Sequence, residues 1–197
     1  MIRRCLKICI AFVVENDVCR KMGVLSDWGR SMVLFIDTSA NQQGKPIAER
    51  ASRKNSGEKC EYIATADMNI AHCVGCNFCW LKTPGVCVFN DDYKQLLEKI
   101  HSAEKIWLIS EARFGFISSQ AKRIVDRIMP LLTIYLTCSG PYMRHVTRYR
   151  HNPDWGVLYI GDGDKVLMSD WCSRFTSNLG AKSLGVYDIL HVEEADL

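Results

Sequence analysis

Four cysteines lie close together near the middle of this 197-residue chain. Cys73, Cys76 and Cys79 follow one another at three-residue spacing, and Cys87 comes after seven intervening residues. Thiolates are soft ligands, so four on one short loop can bind a tetrahedral metal or an iron–sulfur cluster. The spacing favours a cluster, because structural zinc sites usually divide their ligands into two separated pairs. The residues therefore predict a thiolate site, with zinc and free thiols as the alternatives.

The composition is that of a globular protein without an electrostatic preference for nucleic acid. Hydrophobic residues make up 48% of the chain, charged residues 24%, and the formal net charge is +3. This charge is too small to predict a nucleic-acid or membrane partner. No apolar stretch is long enough to span a bilayer. Ten cysteines would suggest disulfides in a secreted protein, but Lys7 and Glu15 interrupt the early apolar run and no cleavage site follows. We therefore expect a cytoplasmic protein with reduced thiols.

Hydrophobic runs and amphipathic segments alternate along the chain and predict the elements that position the cysteines. Runs typical of buried parallel strands cover residues 32–36, 60–65, 105–109, 155–160 and 184–190. Helical patterns follow at residues 47–54, 92–100, 118–129 and 165–179, the second of them with Asp92 as an expected N-cap and Gln95 completing a capping box. Alternating strands and helices predict an α/β fold, a doubly wound five-stranded parallel sheet with helices on both faces.

Three segments are harder to interpret. Residues 1–31 contain one strand-like run but are otherwise weakly patterned, so we treat them as an N-terminal extension and residues 32–197 as the domain. Between 131 and 153 the pattern predicts no regular element. The basic run at 144–151 favours a solvated surface or a subunit contact, with anion binding as the alternative. The acidic tail after residue 190 is expected to fray.

Several loops follow the carboxyl ends of the predicted strands. They are residues 37–46, 72–90, 110–118 and 161–164. In open α/β sheets, ligands bind beyond the carboxyl ends of the strands, where the winding reverses. We therefore expect these loops to form one crevice that includes the cysteines, which predicts a redox site.

Over about residues 32–190 the sequence resembles the flavodoxin-like NAD(P)H-dependent FMN reductases, and within them the iron–sulfur flavoproteins. The most specific part is the cysteine motif, with Gly75 and Trp80 inside it. A second match is Ser110-x-x-x-Phe114-Gly115. The family's phosphate loop, Gly-Ser-Pro-Arg-x-x-Gly-Asn-Thr, has its serine and second glycine at Ser39 and Gly44.

The resemblance implies specific ligands for this chain. It implies FMN bound by Ser39, Asn41, Gly44, Glu111, Ala112, Arg113, Phe114, Gly115 and Asp162. It implies a [4Fe–4S] cluster on Cys73, Cys76, Cys79 and Cys87, and NAD(P)H as substrate. It also implies a homodimer or homotetramer, because a neighbouring subunit covers the shallow crevice in such proteins.

The chain departs from the family pattern in both flavin loops. In the first loop Thr38, Ala40, Asn41, Lys45 and Pro46 replace the family's Gly, Pro, Arg, Asn and Thr. In the second, Glu111 and Arg113 replace a proline and an aromatic residue. Each lost hydrogen bond to a charged group costs about 1.5–3 kcal/mol of binding. These departures bear directly on whether FMN binds.

Two functions follow as expectations. The first is an FMN-dependent oxidoreductase that transfers electrons from NAD(P)H or a reduced carrier to a small-molecule or protein acceptor, with the cluster as a relay. The second is a non-enzymatic metal-binding or interaction module on a flavodoxin scaffold that has lost FMN. The eroded phosphate loop favours the second, and the cysteine motif favours the first.

Overall fold

The computed structural model describes residues 32–54, 58–140, 142–195 and 197. The prediction for residues 1–31 lies outside these ranges. The strands are β1 (Met32–Asp37), β2 (Lys59–Ala64), β3 (Lys105–Arg113), β4 (Phe116–Ile117), β5 (Leu132–Ser139), β6 (Tyr142–Thr147), β7 (Asp154–Ile160) and β8 (Ser183–Asp188). The helices are α1 (Lys45–Lys54), α2 (Phe78–Leu81), α3 (Tyr93–Ser102), α4 (Ser119–Asp126) and α5 (Lys165–Asn178), with 3-10 turns at Met129–Leu131 and Ile189–Glu194.

The main sheet has five parallel strands in the order β2-β1-β3-β7-β8. The chain moves outward from β1 to β2, then crosses to β3 on the other side of β1 and continues outward. The winding therefore reverses between β1 and β3, which is where ligands bind in such sheets. The predicted doubly wound five-stranded parallel sheet is confirmed, and β4 adds a short antiparallel strand beside β3.

Successive residues of β1 point to opposite faces of the sheet, and both faces are covered. Leu34 and Ile36 pack against α3, α4 and α5. Val33 and Phe35 pack against α1 and the C-terminal segment. All six residues of β1 are buried, and the first five form a continuous apolar run, as expected for a central parallel strand.

The C-terminal segment packs on the sheet, so the prediction of a frayed tail is wrong. Val192, Ala195 and Leu197 are buried in the core on the same face as α1. The carboxylate of Asp188 accepts a hydrogen bond from the N–H of Leu190 (2.9 Å) at the start of this segment. The apolar side chains between the acidic residues supply burial that local charge content does not reveal.

Two other elements differ from the prediction. Strand β3 continues four residues beyond the expected end at Ile109, because β7 pairs with it as far as Glu111 and β4 pairs with it at Ala112 and Arg113. Strands β5 and β6 form an antiparallel hairpin where no regular element was predicted. Much of the hairpin is exposed, including the apolar side chains of Tyr135 and Met143, so its sequence lacks the alternation of a half-buried strand.

Across the described ranges, none of the helices is both long enough and apolar enough to cross a membrane.

Candidate functional site

Two carboxylates at the start of α3 hold the beginning of the cysteine loop. The carboxylate of Asp92 accepts a hydrogen bond from the N–H of Asn69 (2.7 Å), and that of Asp91 accepts one from the N–H of Ala71 (2.9 Å). Asp92 is the N-cap of α3, as predicted, but its side chain makes no capping bond to the helix. The capping-box expectation was therefore wrong, because the carboxylate binds the loop instead.

Arg127 also holds the beginning of the cysteine loop. Its side chain is 1% exposed and forms an ion pair with Asp91, whose side chain is 8% exposed. The guanidinium also donates hydrogen bonds to the Ala71 carbonyl (3.3 Å) and to Cys87 Sγ (3.3 Å), and it lies 4.5 Å from the centre of the Tyr93 ring. Burial opposes the charge, yet the bonds to Asp91 and Cys87 raise the pKa of Arg127. A permanent positive charge therefore faces one of the four thiols.

The four cysteine side chains of the motif line one cavity of about 360 Å³. Cys73 and Cys76 are exposed, whereas Cys79 and Cys87 are half-buried, and none of the four is in a disulfide. Gly75 (φ 64°) lies in the left-handed region and gives the loop a sharp turn. The remaining lining comes from residues 74–77, 80, 88–89, 126–127 and 129–130. The predicted thiolates are thus brought to one space.

Three hydrogen bonds attach the cavity wall to the body of the protein. The indole Nε1 of Trp80 donates to the carbonyl of Met129 (2.9 Å). The guanidinium of Arg148 donates to the carbonyl of Cys79 (3.4 Å) and to that of Pro130 (3.0 Å). Trp80 is therefore a packing residue with a satisfied N–H, on a wall that shields one side of the cavity.

The thiols interact electrostatically with one another. Burial, together with the neighbouring thiols of Cys87, Cys73 and Cys76, raises the pKa of Cys79 to about 11. Within the described ranges, no three His, Cys, Asp or Glu side chains converge closely enough to hold a single metal ion. A zinc ion needs every sulfur at about 2.3 Å from one centre. The four thiols thus share a cavity without converging on one metal position, and thiolates are also the ligands of iron–sulfur clusters.

The β1–α1 loop folds around an anion of the chain itself, the carboxylate of Asp37 at the end of β1. This side chain is fully buried. It accepts hydrogen bonds from the N–H of Ser39 (2.8 Å), the hydroxyl of Ser39 (2.7 Å), the N–H of Gly44 (2.8 Å) and the hydroxyl of Tyr62 (2.9 Å). Burial, then the bond to Asp37, raises the pKa of Tyr62, so its hydroxyl stays protonated and remains a donor.

The predicted phosphate-binding residues are therefore not arranged as the resemblance implies. The N–H groups of Ser39 and Gly44 point inward to Asp37, while Asn41 lies in the exposed tip of the loop. A Cβ added to Gly44 would lie 2.1 Å from Ile109 Cδ1 and 2.9 Å from a carboxylate oxygen of Asp37, so only glycine permits this close approach. In this conformation Ser39 and Gly44 do not fit a phosphate group.

The predicted ring-binding residues lie on a β-turn and its neighbouring loop. Phe114 (φ 54°) and Gly115 (φ 75°) form the tight turn between β3 and β4, and Phe114 is fully exposed. Glu111 and Arg113 flank this turn on β3 and form an ion pair at 2.6 Å. Because Ala112 pairs with β4, these residues belong to a rigid hairpin and not to an open loop.

The loop after β7 lies beside this turn. Gly115 and Gly163 form a parallel bridge, and the N–H of Asp164 donates to the Gly115 carbonyl (2.9 Å). Asp162, one residue away from the bridge, is exposed. The structure thus brings residues 111–115 and Asp162 together at the carboxyl edge of the sheet.

The first loop is attached to the same edge. The N–H and the hydroxyl of Thr38 both donate to the carbonyl of Ile109 in β3, each at 2.9 Å. The cysteine cavity is lined by residues 73–80, 87–89 and 126–130. Gln120, at the start of α4, donates to the carbonyl of Thr65, which leads into the cysteine loop (3.0 Å). Sequence reasoning missed the supporting residue Asp37, since its bonds to Gly44 and Tyr62 form only in the folded chain.

Comparisons with known proteins identify relatives of this chain. No family model matches it. An iron–sulfur flavoprotein from Methanocaldococcus jannaschii is 40% identical over 75 residues, which make up 38% of this chain and 38% of that protein. An iron–sulfur flavoprotein from Archaeoglobus fulgidus is 35% identical over 100 residues, 48% of this chain and 47% of that protein. The resemblance to the iron–sulfur flavoproteins is confirmed.

These matches to iron–sulfur flavoproteins span less than half the length of each relative. In structure, the chain is similar to RosB, which was solved with bound 8-demethyl-8-formylriboflavin 5′-phosphate. The TM-score is 0.57 at 16% identity, covering 80% of this chain and 64% of RosB. This likeness confirms the flavodoxin-like α/β fold.

Proposed function

We propose that this chain is a flavin-dependent oxidoreductase that carries a [4Fe–4S] cluster on Cys73, Cys76, Cys79 and Cys87. Electrons would pass from NAD(P)H or a reduced carrier to a small-molecule or protein acceptor. One observation carries the proposal: the four thiols line a single cavity beside a buried guanidinium that donates to Cys87. Its support from outside the chain is the sequence similarity to two iron–sulfur flavoproteins.

Arg127 has a defined part in this proposal. A thiolate ligand is stabilised by a nearby positive charge, and the guanidinium lies 3.3 Å from Cys87 Sγ. Hydrogen bonds to sulfur and exclusion of solvent tune the potential of iron–sulfur clusters. Phe89 and Trp80 supply the apolar side of the cavity wall. Among the four cluster ligands, Cys87 is therefore the one whose thiolate Arg127 would stabilise directly, through a charged hydrogen bond.

The flavin ring would bind against the turn at Phe114 and Gly115. A bound flavin supplies hydride and electron transfer, while the protein orients it and excludes water. The exposed Phe114 ring offers an aromatic face, and the loop at 161–164 offers backbone groups beside it. Glu111 and Arg113, already paired with each other, fix the polar edge of this hairpin.

The test is the composition and colour of the full chain purified without oxygen. We expect about four iron atoms per chain, a broad brown absorbance that reductant bleaches, and two resolved flavin bands when flavin is added. Cys87→Ala should lower the iron content sharply and remove the brown absorbance. The matched control is Cys138→Ala, since Cys138 is an exposed cysteine of β5 outside the cavity.

The outcome that contradicts the proposal is equally specific. A protein that stays colourless after reconstitution with iron, sulfide and flavin would overturn it. Equal iron loss in the Cys87 and Cys138 variants would show that the cavity is not the site of the cluster. NADH and NADPH oxidation by the reconstituted protein, measured separately, then identifies the preferred donor.

A second candidate is a non-enzymatic metal-binding or interaction module on the same fold. The carboxylate of Asp37 inside the phosphate loop specifically favours it, because this group opposes an anionic cofactor there. On this alternative the reconstituted chain holds metal on its thiols but binds no flavin. Metal analysis and flavin titration of the same preparation separate the two candidates.

We also propose that the chain associates with a second copy of itself, as its resemblance to flavodoxin-like reductases implies. The β5–β6 hairpin supports this, because Tyr135, Leu136 and Met143 are exposed apolar side chains. Large exposed apolar patches usually mark contact surfaces. Light scattering coupled to gel filtration measures the mass in solution, and Met143→Lys should lower it if this surface is used.

A further inference from the structure

The buried carboxylate of Asp37 accepts hydrogen bonds from the N–H groups of Ser39 and Gly44, the residues that the resemblance assigns to the flavin phosphate. We propose that Asp37 substitutes for that phosphate, so that this chain binds a flavin without a 5′-phosphate, such as riboflavin, at least as tightly as FMN. This inference rests on the proposed flavin function and names the class of flavin that the site accepts.

Four hydrogen-bond donors surround the carboxylate of Asp37. The N–H groups of Ser39 and Gly44 and the hydroxyls of Ser39 and Tyr62 approach its two oxygens at 2.7–2.9 Å. A buried carboxylate is retained only when its oxygens are hydrogen-bonded. These four donors satisfy it completely without any external ligand. The loop is therefore closed around an anion that belongs to the chain.

A phosphate bound in this loop would find its backbone donors occupied and a negative charge nearby. Backbone N–H groups at a strand-to-helix turn are what usually cradle a phosphate, but those of Ser39 and Gly44 are already used. A phosphate dianion placed near them would lie close to the carboxylate of Asp37, and like charges repel strongly in a poorly hydrated site. Asn41, at the position of the family's arginine, carries no charge, and the exposed ammonium of Lys45 lacks the paired donors with which a guanidinium binds a phosphate.

Two segments at the carboxyl edge of the sheet remain available to bind the flavin ring. The turn at Phe114 and Gly115 and the loop at 161–164 are held by their own backbone bonds. They do not depend on the β1–α1 loop being open. The ring and ribityl chain of a flavin are uncharged, so Asp37 does not repel them. The structure therefore selects against the phosphate and not against the ring.

The experiment compares two flavins on the full chain after bound flavin has been removed. Riboflavin and FMN are titrated separately, and quenching of flavin fluorescence gives each dissociation constant. We expect FMN to bind no tighter than riboflavin. Asp37→Ser should free the two N–H groups and shift the ratio of the constants at least tenfold toward FMN. Asp67→Ser, which removes an exposed acid from the next loop, should leave the ratio unchanged.

Two results overturn the inference while leaving the flavin function in place. One is a wild-type chain that binds FMN more tightly than riboflavin. The other is a folded Asp37→Ser chain, verified by its thermal unfolding, that keeps the wild-type ratio. If the serine variant does not fold, Asp37→Asn, which keeps the shape and removes the charge, provides the same comparison. Failure to bind either flavin instead overturns the flavin function itself, and this inference with it.

Discussion

Replacing Arg127 with methionine should destabilise the protein and loosen the cysteine loop. Methionine keeps much of the length of the side chain but removes the charge and all of its hydrogen bonds. The ion pair with Asp91 is almost fully buried, with the side chains 1% and 8% exposed. Removing one partner of a buried pair leaves the other charge uncompensated and typically costs about 3–5 kcal/mol. Since domains are stable by about 5–15 kcal/mol, this loss is a large fraction of the total.

The magnitude can be separated from a general effect of losing an arginine. Arg53→Met is the matched control, because its side chain is 78% exposed, its guanidinium lies 3.9 Å from the Glu49 carboxylate, and its one hydrogen bond, to the Glu49 carbonyl (3.2 Å), is exposed to solvent. An exposed pair of this kind contributes about 0.5 kcal/mol or less. Urea unfolding of wild type, Arg127→Met and Arg53→Met gives the free energy of unfolding of each protein.

A double-mutant cycle tests whether Asp91 is the cause. If the loss comes from the uncompensated carboxylate, Asp91→Asn combined with Arg127→Met should cost clearly less than the sum of the two single variants. A free-energy loss for Arg127→Met within about 1 kcal/mol of the Arg53 control would refute the reasoning. Strict additivity in the cycle would refute the assignment to this pair.

Three further predictions use the same unfolding assay. Burial opposes ionisation of Asp91, but hydrogen bonds from Arg127 and the backbone outweigh it and lower its pKa below 3.8; stability should therefore be intact above about pH 4 and fall as the pH drops through the lowered pKa, and the same fall in Asp91→Asn would contradict this. Gly156→Ala should cost about 1–3 kcal/mol, because the new Cβ would lie 2.3 Å from the buried Trp107 ring; an unchanged unfolding midpoint would show that the ring moves freely. Asp164→Ala should cost about 1 kcal/mol by removing the N-cap of α5, a 2.9 Å bond to the N–H of residue 167; Asp164→Asn is the control and should retain most of the stability.

Local pattern was sufficient where one short segment determines the outcome. The apolar run at 32–36 predicted β1 because a strand buried on both faces needs apolar side chains at every position. The helix predicted from residue 118 does begin there, because the Ser118 hydroxyl caps α4 by accepting a hydrogen bond from the N–H of Ala121 (3.2 Å). The helix predicted at 165–179 is observed at Lys165–Asn178 with Gly180 beyond its end. Each of these depends on neighbours within a few residues.

Prediction from local sequence pattern failed where contacts with distant parts of the chain determine the structure. Strand β3 extends to Arg113 because β7 and β4 pair with it. The C-terminal segment is ordered because Val192 packs against the sheet. The hairpin of β5 and β6 has two weakly patterned strands that become regular only by pairing with each other.

The sequence by itself determined the sulfur chemistry, the parallel sheet and the resemblance to flavoproteins, because residue type, spacing and hydrophobic period are properties of short segments. The tertiary structure alone decided that Arg127 faces Cys87, 40 residues away along the chain. It also decided that the donors of Ser39 and Gly44 turn toward Asp37. A hydrogen-bonding group can have any of many partners in sequence, and only the folded chain shows which one lies within about 3 Å.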